Sequence, residues 1–181
     1  KVAIVTGGAS GIGAETARMF ALHGAQLMLT DTNVALGEDV AREIVAAGGT
    51  AQFTEHDVRR EAQWEEVVRA TTTNFGRLDV LCYIAGISGR DPKLNIQASL
   101  TAGPRLDEQT LEQWNLVMDI NATGVFLGTK AAIPAMQQSG GGSIVNIGSI
   151  SAVVGLPEQP GYCASKGGVF QLTRQVAIDY A

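Results

Sequence analysis

The sequence is poor in the residues on which metal, disulfide and histidine chemistry depends. Its 181 residues include only two cysteines and two histidines. Cys82 and Cys163 are far apart and fit no metal-ligand spacing, so two reduced thiols and no metal site are expected. A Ser/His/Asp hydrolase needs a histidine in a loop near its serine, and neither His23 nor His56 stands near a candidate serine.

Positive charge and long apolar runs are also scarce. The net charge of −5 argues against a nucleic-acid partner, and no basic run suggests a membrane surface. No apolar run approaches the ~20 residues of a membrane span, and no signal-peptide pattern opens the sequence. The apolar share of 45% is enough for a buried core. We expect one domain over residues 1–181 and a cytoplasmic location.

Segments typical of strands alternate with segments typical of helices. Strands are predicted near residues 1–6, 26–30, 51–55, 78–84 and 143–147, and helices near 11–23, near 111–138 and from 162 onwards, still helical at 181. Two further helices are predicted from their apolar positions: one carries Leu36, Val40, Ile44 and Ala47 and is stopped by Gly48-Gly49, and the other carries Trp64, Val67, Val68 and Thr71 and ends at Gly76. Pro134 predicts a bend or an early stop in the long helix. Such alternation predicts an α/β protein with a doubly wound parallel sheet, the Rossmann arrangement.

A glycine-rich turn follows the first strand. After the apolar run Val2–Val5, the sequence TGGASGIG opens the first predicted helix, with glycines at 7, 11 and 13. Strand, glycine turn and helix together are typical of a dinucleotide site. Gly7 permits the tight turn, Gly11 lets the backbone approach a pyrophosphate, and Gly13 brings the helix close to the strand. The helix N-terminus adds N–H donors for phosphate.

A tyrosine and a lysine stand four residues apart near the end of the sequence. Tyr162 and Lys166 share one face of a helix, so the lysine ammonium would favour the ionised form of the phenol and make it a usable acid or base. Ser149, thirteen residues before Tyr162, adds a hydroxyl that could hold an alcohol or carbonyl oxygen. Alone, this pattern is weak and more often reflects two residues on an amphipathic helix.

Together these motifs resemble the short-chain dehydrogenase/reductase family over the whole sequence. The stretch Thr6–Gly13 is similar to the family's T-G-x-x-x-G-x-G loop. Asn121, Ser149, Tyr162 and Lys166 match its catalytic tetrad in order. The resemblance implies that Tyr162 is the acid/base, that Lys166 assists it and binds the nicotinamide ribose, that Ser149 holds the substrate oxygen, and that the main-chain carbonyl of Asn121 holds a water in a proton path.

The resemblance also assigns the cofactor. Asp31 follows the second strand, where an acidic residue accepts hydrogen bonds from the adenosine ribose and repels a 2′-phosphate. Relatives that use NADP usually carry a basic residue where this sequence has Ser10 or Thr32. We therefore expect NAD. The other expected cofactor contacts are the loop residues Gly7, Ser10, Gly11, Ile12 and Gly13, the adenine-flanking pair Asp57 and Val58, the strand-4 end Ala85 and Gly86, and the catalytic pair Tyr162 and Lys166.

Tyr83 and Ile84 depart from the family pattern, which typically has two asparagines before Ala-Gly. The hydrogen bonds of those asparagines must be replaced or absent. Cys82 is expected in the core, and His56 at the surface or as a filler near the adenine.

The resemblance implies an NAD-dependent oxidoreductase that interconverts a secondary alcohol and its ketone, the substrate itself being unassigned. Two alternatives stay open. One is an NAD-binding regulatory or scaffold protein without turnover. The other is an epimerase or dehydratase of the extended branch of the family, which the glycine spacing 7, 11, 13 disfavours.

Three further expectations concern assembly, a flap and the length of the protein. The apolar helices 111–138 and 162–181 predict pairing into a homodimer or homotetramer. The stretch 87–113 is long for a loop and predicts a flap over the substrate site. The chain accounts for only five strands, so C-terminal strands are expected in a longer protein, without which strand 5 would be an exposed edge.

Overall fold

The structure, a computed structural model, describes residues 1–89 and 103–181. It divides into two compact units. The first consists of residues 1–85 and 126–147, and the second of residues 86–125 and 148–181. Residues 90–102 of the predicted flap over 87–113 therefore lie outside the described residues.

The first unit contains a parallel sheet. Its strands are β1 (Val2–Thr6), β2 (Gln26–Asp31), β3 (Thr50–Glu55), β4 (Val80–Tyr83) and β5 (Ser143–Asn146), in the order β3-β2-β1-β4-β5. Every pair is parallel, and β1 lies at the centre with Ile4 opposite both Met28 and Leu81. The reversal of strand order at β1 and β4 is the switch point of a doubly wound sheet, which confirms the predicted fold class.

The helices of this unit are α1 (Gly11–Leu22), α2 (Val34–Ala46), α3 (Glu61–Phe75) and most of α5 (Gly124–Gln138). Alternate residues of the strands feed two cores, as the period of a strand requires. One core joins Ala3, Val5, Leu27, Leu29 and Cys82 to the small and aliphatic residues of α1 and α2. Cys82 is thus a core residue, as predicted, and burial raises the pKa of its thiol.

The second unit is helical in its described part. It contains α4 (Leu111–Met118), a π-helical turn (Asp119–Thr123), a short 3₁₀ turn (Ile150–Ala152) and α6 (Pro160–Asp179). A complete capping box starts α4, with Thr110 and Gln113 bonding each other's backbone N–H groups. Helix α6 packs against α4, the π-helical turn and the 3₁₀ turn.

The predicted long helix is correct in extent but wrong in regularity. Residues 111–138 are helical throughout, but the π-helical turn at Asp119–Thr123 separates α4 from α5. Such turns are frequent at functional sites. Pro134 does not end α5, and its neighbours Ala132 and Met136 are buried, which offsets the hydrogen bond that proline cannot donate. Helix α6 begins two residues earlier than predicted and ends at Asp179 rather than continuing to 181.

Of the two places expected for His56, the surface and the vicinity of the adenine, the surface is wrong. Its side chain is 1% exposed, and its Nδ1 lies 3.1 Å from the hydroxyl of Thr30. The ring meets Trp64 edge to face at 4.4 Å, and Trp64 stacks on Tyr83 at 5.9 Å. Gly128 on α5 leaves room for Trp64, since a Cβ there would stand 2.6 Å from the indole. Aromatic packing between α3 and the sheet therefore buries the His56 side chain.

The helical segment Leu111–Gln138 has the length and composition of a membrane-spanning helix. This corrects the statement that no apolar stretch approaches that length. Core helices of soluble proteins share both properties, and 44% of its most apolar window is buried within the structure. The segment alone is weak grounds for a membrane protein.

The buried His56 makes stability depend on pH. Loss of hydration lowers the pKa of His56 to about 4, against the raising effect of Asp57. Histidines in the unfolded chain take up protons near pH ~6.5. The native state is therefore at full stability above that pH and loses stability as the pH falls towards 4, by at most about 3 kcal/mol. We expect the urea concentration at the unfolding midpoint of the wild type to be lower at pH 5 than at pH 7.

His56→Gln is expected to remove most of this fall, although the variant starts from a lower midpoint. The exposed His23 is the matched control, and His23→Gln should keep the wild-type pH dependence. If His56→Gln retains the whole dependence, burial of His56 is not its source.

Candidate active site

The glycine loop has the geometry of a phosphate cradle. Gly7 and Gly11 have φ values of +67° and +50°, a conformation that residues with a Cβ rarely adopt. A Cβ at Gly13 would lie 1.9 Å from the carbonyl oxygen of Gly7, so α1 begins directly against the loop. Nothing stands within 4 Å of the position that a Cβ of Gly11 would occupy, which leaves its backbone open. The residues fit a dinucleotide pyrophosphate at the N-terminus of α1.

Asp31 lies at the end of β2 beside this loop. One carboxylate oxygen accepts a hydrogen bond from the N–H of Ala9 at 3.2 Å, and the other accepts from the N–H of Asn33 at 2.9 Å. These bonds orient the carboxylate and leave lone pairs for ribose hydroxyls. Ser10 makes no capping bond with its hydroxyl, and Ile12 is 64% exposed, an apolar surface at the mouth of the loop.

The predicted adenine-flanking pair follows β3. Arg59 binds both carboxylate oxygens of Asp57, at distances between 2.7 and 3.1 Å. These hydrogen bonds lower the pKa of Asp57 and outweigh the opposing effect of burial. Val58 is buried, and its carbonyl accepts a hydrogen bond from the indole of Trp64. An adenine amino group would therefore share the Asp57 carboxylate with Arg59.

Thr6 holds the backbone at the end of β4, where the family typically has two asparagines. Its buried hydroxyl accepts hydrogen bonds from the N–H groups of Ile84 and Ala85, at 3.0 and 3.1 Å. Tyr83 is buried and stacks on Trp64. Ala85 also packs against the cradle, since its nitrogen lies 3.0 Å from the Cβ position of Gly7. This role of Thr6 was missed from the sequence, where it stands only as the first letter of the loop motif.

The four predicted catalytic residues all lie in the second unit, as does Gly86, whereas the other predicted cofactor residues lie in the first. Tyr162 and Lys166 occupy successive turns of α6, and the Lys166 ammonium lies 5.7 Å from the centre of the Tyr162 ring. Lys166 is 6% exposed, and burial lowers its pKa. The predicted juxtaposition of cation and phenol is present, and the phenol itself is half-buried.

Ser149 precedes the 3₁₀ turn that packs on α6. Its hydroxyl accepts a hydrogen bond from the N–H of Ser151 at 3.1 Å and lies 3.0 Å from the Ser151 hydroxyl. Ser149 is half-buried whereas Ser151 is buried. Ser151 was noticed in the sequence only as a residue easily confused with Ser149; in the structure it is the residue that orients the Ser149 hydroxyl.

Asn121 lies at the middle of the π-helical turn and is completely buried. Its side-chain oxygen accepts from the N–H of Ile87 at 2.9 Å, and its side-chain nitrogen donates to the carbonyl of Ile87 at 2.8 Å and to the hydroxyl of Ser165 at 3.1 Å. Both amide donors are used. The side chain is therefore structural, which leaves the main chain of the turn for the proton path that the resemblance implies.

Neither cysteine belongs to a cluster of chemical groups. Cys82 is buried and Cys163 half-buried, and both are free thiols. Within residues 1–89 and 103–181, no group of three or more His, Cys, Asp or Glu side chains is arranged to hold a metal ion.

The chain is similar to several known dehydrogenases and reductases. A dehydrogenase of Sphingobium indicum (strain B90A) that acts on 2,5-dichloro-2,5-cyclohexadiene-1,4-diol is 38% identical over 99% of this chain and 67% of its own length. The cyclopentanol dehydrogenase of Comamonas sp. (strain NCIMB 9872) is 39% identical over 100% of this chain and 67% of its own. The crystal structure of levodione reductase superposes with a TM-score of 0.89 at 35% identity, covering 99% of this chain and 66% of that one.

The chain thus spans about two thirds of the length of these relatives. The family model for short chain dehydrogenases matches residues 1–181. With the glycine cradle, the Tyr162–Lys166 pair and relatives of this kind, the chain belongs to the short-chain dehydrogenase family of oxidoreductases.

Proposed function

We propose that the protein catalyses reversible hydride transfer between NAD(H) and a secondary alcohol or its ketone, with Tyr162 as the acid and base. The observation that carries this proposal is the buried ammonium of Lys166 at 5.7 Å from the Tyr162 ring. A desolvated cation at that distance favours the phenolate, because charges interact more strongly away from water. Few structural roles require a lysine to be buried beside a tyrosine.

Each residue of the site has a separate role in the proposed reaction. NAD, when bound, supplies the hydride acceptor. Tyr162 takes the hydroxyl proton of the alcohol as it is oxidised and returns a proton to the carbonyl oxygen in the reverse direction. Ser149, held by Ser151, donates to that oxygen. Lys166 stabilises the phenolate and binds the nicotinamide ribose.

Replacing the base tests the proposal. Tyr162→Phe keeps the ring and removes the oxygen that carries the proton, so we expect kcat to fall by at least ~10²-fold while NAD affinity is nearly unchanged. Turnover is followed by NADH absorbance and affinity by calorimetry.

Tyr180→Phe is the matched control, since Tyr180 is 56% exposed at the end of α6. This variant should have wild-type kcat. A Tyr162→Phe enzyme that keeps half its activity would exclude the assigned role.

NAD rather than NADP is proposed from Asp31. Its carboxylate stands beside the loop in a fixed orientation and would repel a 2′-phosphate. The residue that follows it, Thr32, offers no positive charge to such a phosphate.

The double variant Asp31→Ser, Thr32→Arg is expected to raise the ratio of kcat/KM for NADP to that for NAD by about 10-fold or more, because it removes the repulsion and adds a phosphate partner. Asp31→Asn is the control, since it removes the charge while keeping one side-chain oxygen that can accept from either Ala9 or Asn33. It should weaken the preference for NAD without creating one for NADP. A wild type that already prefers NADP would contradict the proposal.

The substrate is proposed to be a cyclic secondary alcohol or ketone. The relatives named above include a cyclohexadiene-diol dehydrogenase and a cyclopentanol dehydrogenase, and 3-alpha-(or 20-beta)-hydroxysteroid dehydrogenases of Mycobacterium are 37% identical over 99% of this chain. A panel of cyclic, linear and sugar alcohols followed at the NADH absorbance would test this class.

We also propose that the protein is cytoplasmic and assembles through residues 111–138 and 162–181 into a homodimer or homotetramer. Phe126 on α5 and Phe170 on α6 are 49% and 39% exposed, large apolar side chains that favour burial in an interface.

Light scattering of the full-length protein is expected to give a multiple of the monomer mass, and Phe126→Asp or Phe170→Asp should lower it. Val45→Asp is the matched control, because Val45 is a comparably exposed apolar residue on α2. A wild type of monomer mass would refute the assembly.

An NAD-binding regulator without turnover is the second candidate. Binding of NAD with no NADH formed from any alcohol of the panel would favour it over the enzyme.

A further inference from the structure

Ser165 joins the two parts of the second unit on which the proposed chemistry depends. Its side chain is completely buried in α6, one residue before Lys166. The hydroxyl donates a hydrogen bond to the main-chain carbonyl of Tyr162 at 2.8 Å and accepts one from the side-chain amide of Asn121 at 3.1 Å. One small hydroxyl therefore connects the turn of α6 that carries the tyrosine to the π-helical turn.

The connection continues beyond Asn121. The same amide group holds both the N–H and the carbonyl of Ile87. The backbone at Ile87, the Asn121 amide, the Ser165 hydroxyl and the Tyr162 carbonyl thus form one chain of hydrogen bonds between three separate segments. A chain of this kind in a dry interior fixes its members more firmly than separate bonds to water would.

The chain of hydrogen bonds ends at the main-chain carbonyl of Tyr162, and this bond affects how firmly the Tyr162 side chain is held. The Tyr162 carbonyl belongs to the first turn of α6, close to the helix N-terminus, where Gln159 makes no capping bond with its side chain. A first turn without such a cap is prone to fraying. The bond from Ser165 restrains the turn from which the phenol projects.

Serine suits this position for reasons of size and chemistry. Its hydroxyl can donate and accept at once, and the complete burial of the site leaves little room for a larger side chain. Alanine would fill nearly the same volume, but it would break the chain at its centre and leave one amide proton of Asn121 unpaired in the interior.

We propose that Ser165 is a positioning residue that holds the Tyr162-bearing turn of α6 against the Asn121 turn. It touches neither substrate nor cofactor in this role; it acts through Tyr162 and Asn121. The kinetic consequence rests on the proposed function, whereas the restraint on Tyr162 does not.

The experiment compares Ser165→Ala with the wild type by kinetics and by fluorine NMR. We expect kcat to fall by about 10-fold or more, because small displacements of a reacting group are costly. The KM for NAD should stay within about twofold, since the glycine cradle is untouched. With 3-fluorotyrosine in place of the three tyrosines, the Tyr162 resonance, identified by its absence in Tyr162→Phe, should broaden or split in Ser165→Ala.

Thr71→Val is the matched control. Thr71 is also completely buried in a helix, and its hydroxyl donates to the carbonyl of Val67 at 2.7 Å, but the bond belongs to α3 in the first unit. It should lower the melting temperature as Ser165→Ala does and leave kcat and the Tyr162 resonance unchanged.

Three results overturn the proposal: a Ser165→Ala enzyme with kcat within about twofold of the wild type, a Tyr162 resonance unchanged by that substitution, or the same broadening in Thr71→Val. If the wild type oxidises no alcohol at all, the proposed function fails, and the fluorine spectra alone decide whether Ser165 restrains Tyr162.

Discussion

The close approach of two glycines determines where the first helix begins. A side chain at Gly13 would overlap the carbonyl of Gly7, so α1 can start directly behind β1 only because Gly13 has no Cβ. That approach places the N–H groups of the helix N-terminus next to an open stretch of backbone at Gly11, where they can face a phosphate. Asp31 is held at the same loop by the N–H of Ala9.

In the second unit, several polar side chains of the predicted site are buried together with hydrogen-bond partners. Asn121, Ser165 and Lys166 are all at or near full burial. Burial of an amide and a hydroxyl is tolerated because they bond each other and the backbone of Ile87 and Tyr162. Burial of Lys166 lowers its pKa, a cost that is understandable if the ammonium is needed beside Tyr162.

The end of β4 departs from the family pattern, and residues from neighbouring elements contact it. Tyr83 stands where an asparagine is typical. Its ring stacks on Trp64, which in turn contacts His56 edge to face. The backbone N–H groups at the end of β4 are then satisfied by Thr6 from the adjacent central strand. Because β1 and β4 are neighbours in the sheet, a hydroxyl at the end of one strand can accept hydrogen bonds from the backbone that follows the other.

The sequence by itself determined the fold class, the glycine loop and the pairing of Tyr162 with Lys166, because each depends on local spacing: strand runs, glycine positions and the four-residue repeat of a helix. Only the tertiary structure decided that residues 111–138 contain a π-helical turn, that His56 is buried, and that Thr6, Ser151 and Ser165 support the site. These features depend on contacts between segments far apart in the sequence. A buried serine or threonine has the same local signature as an exposed one, since its role is set by the partner that folding brings to it.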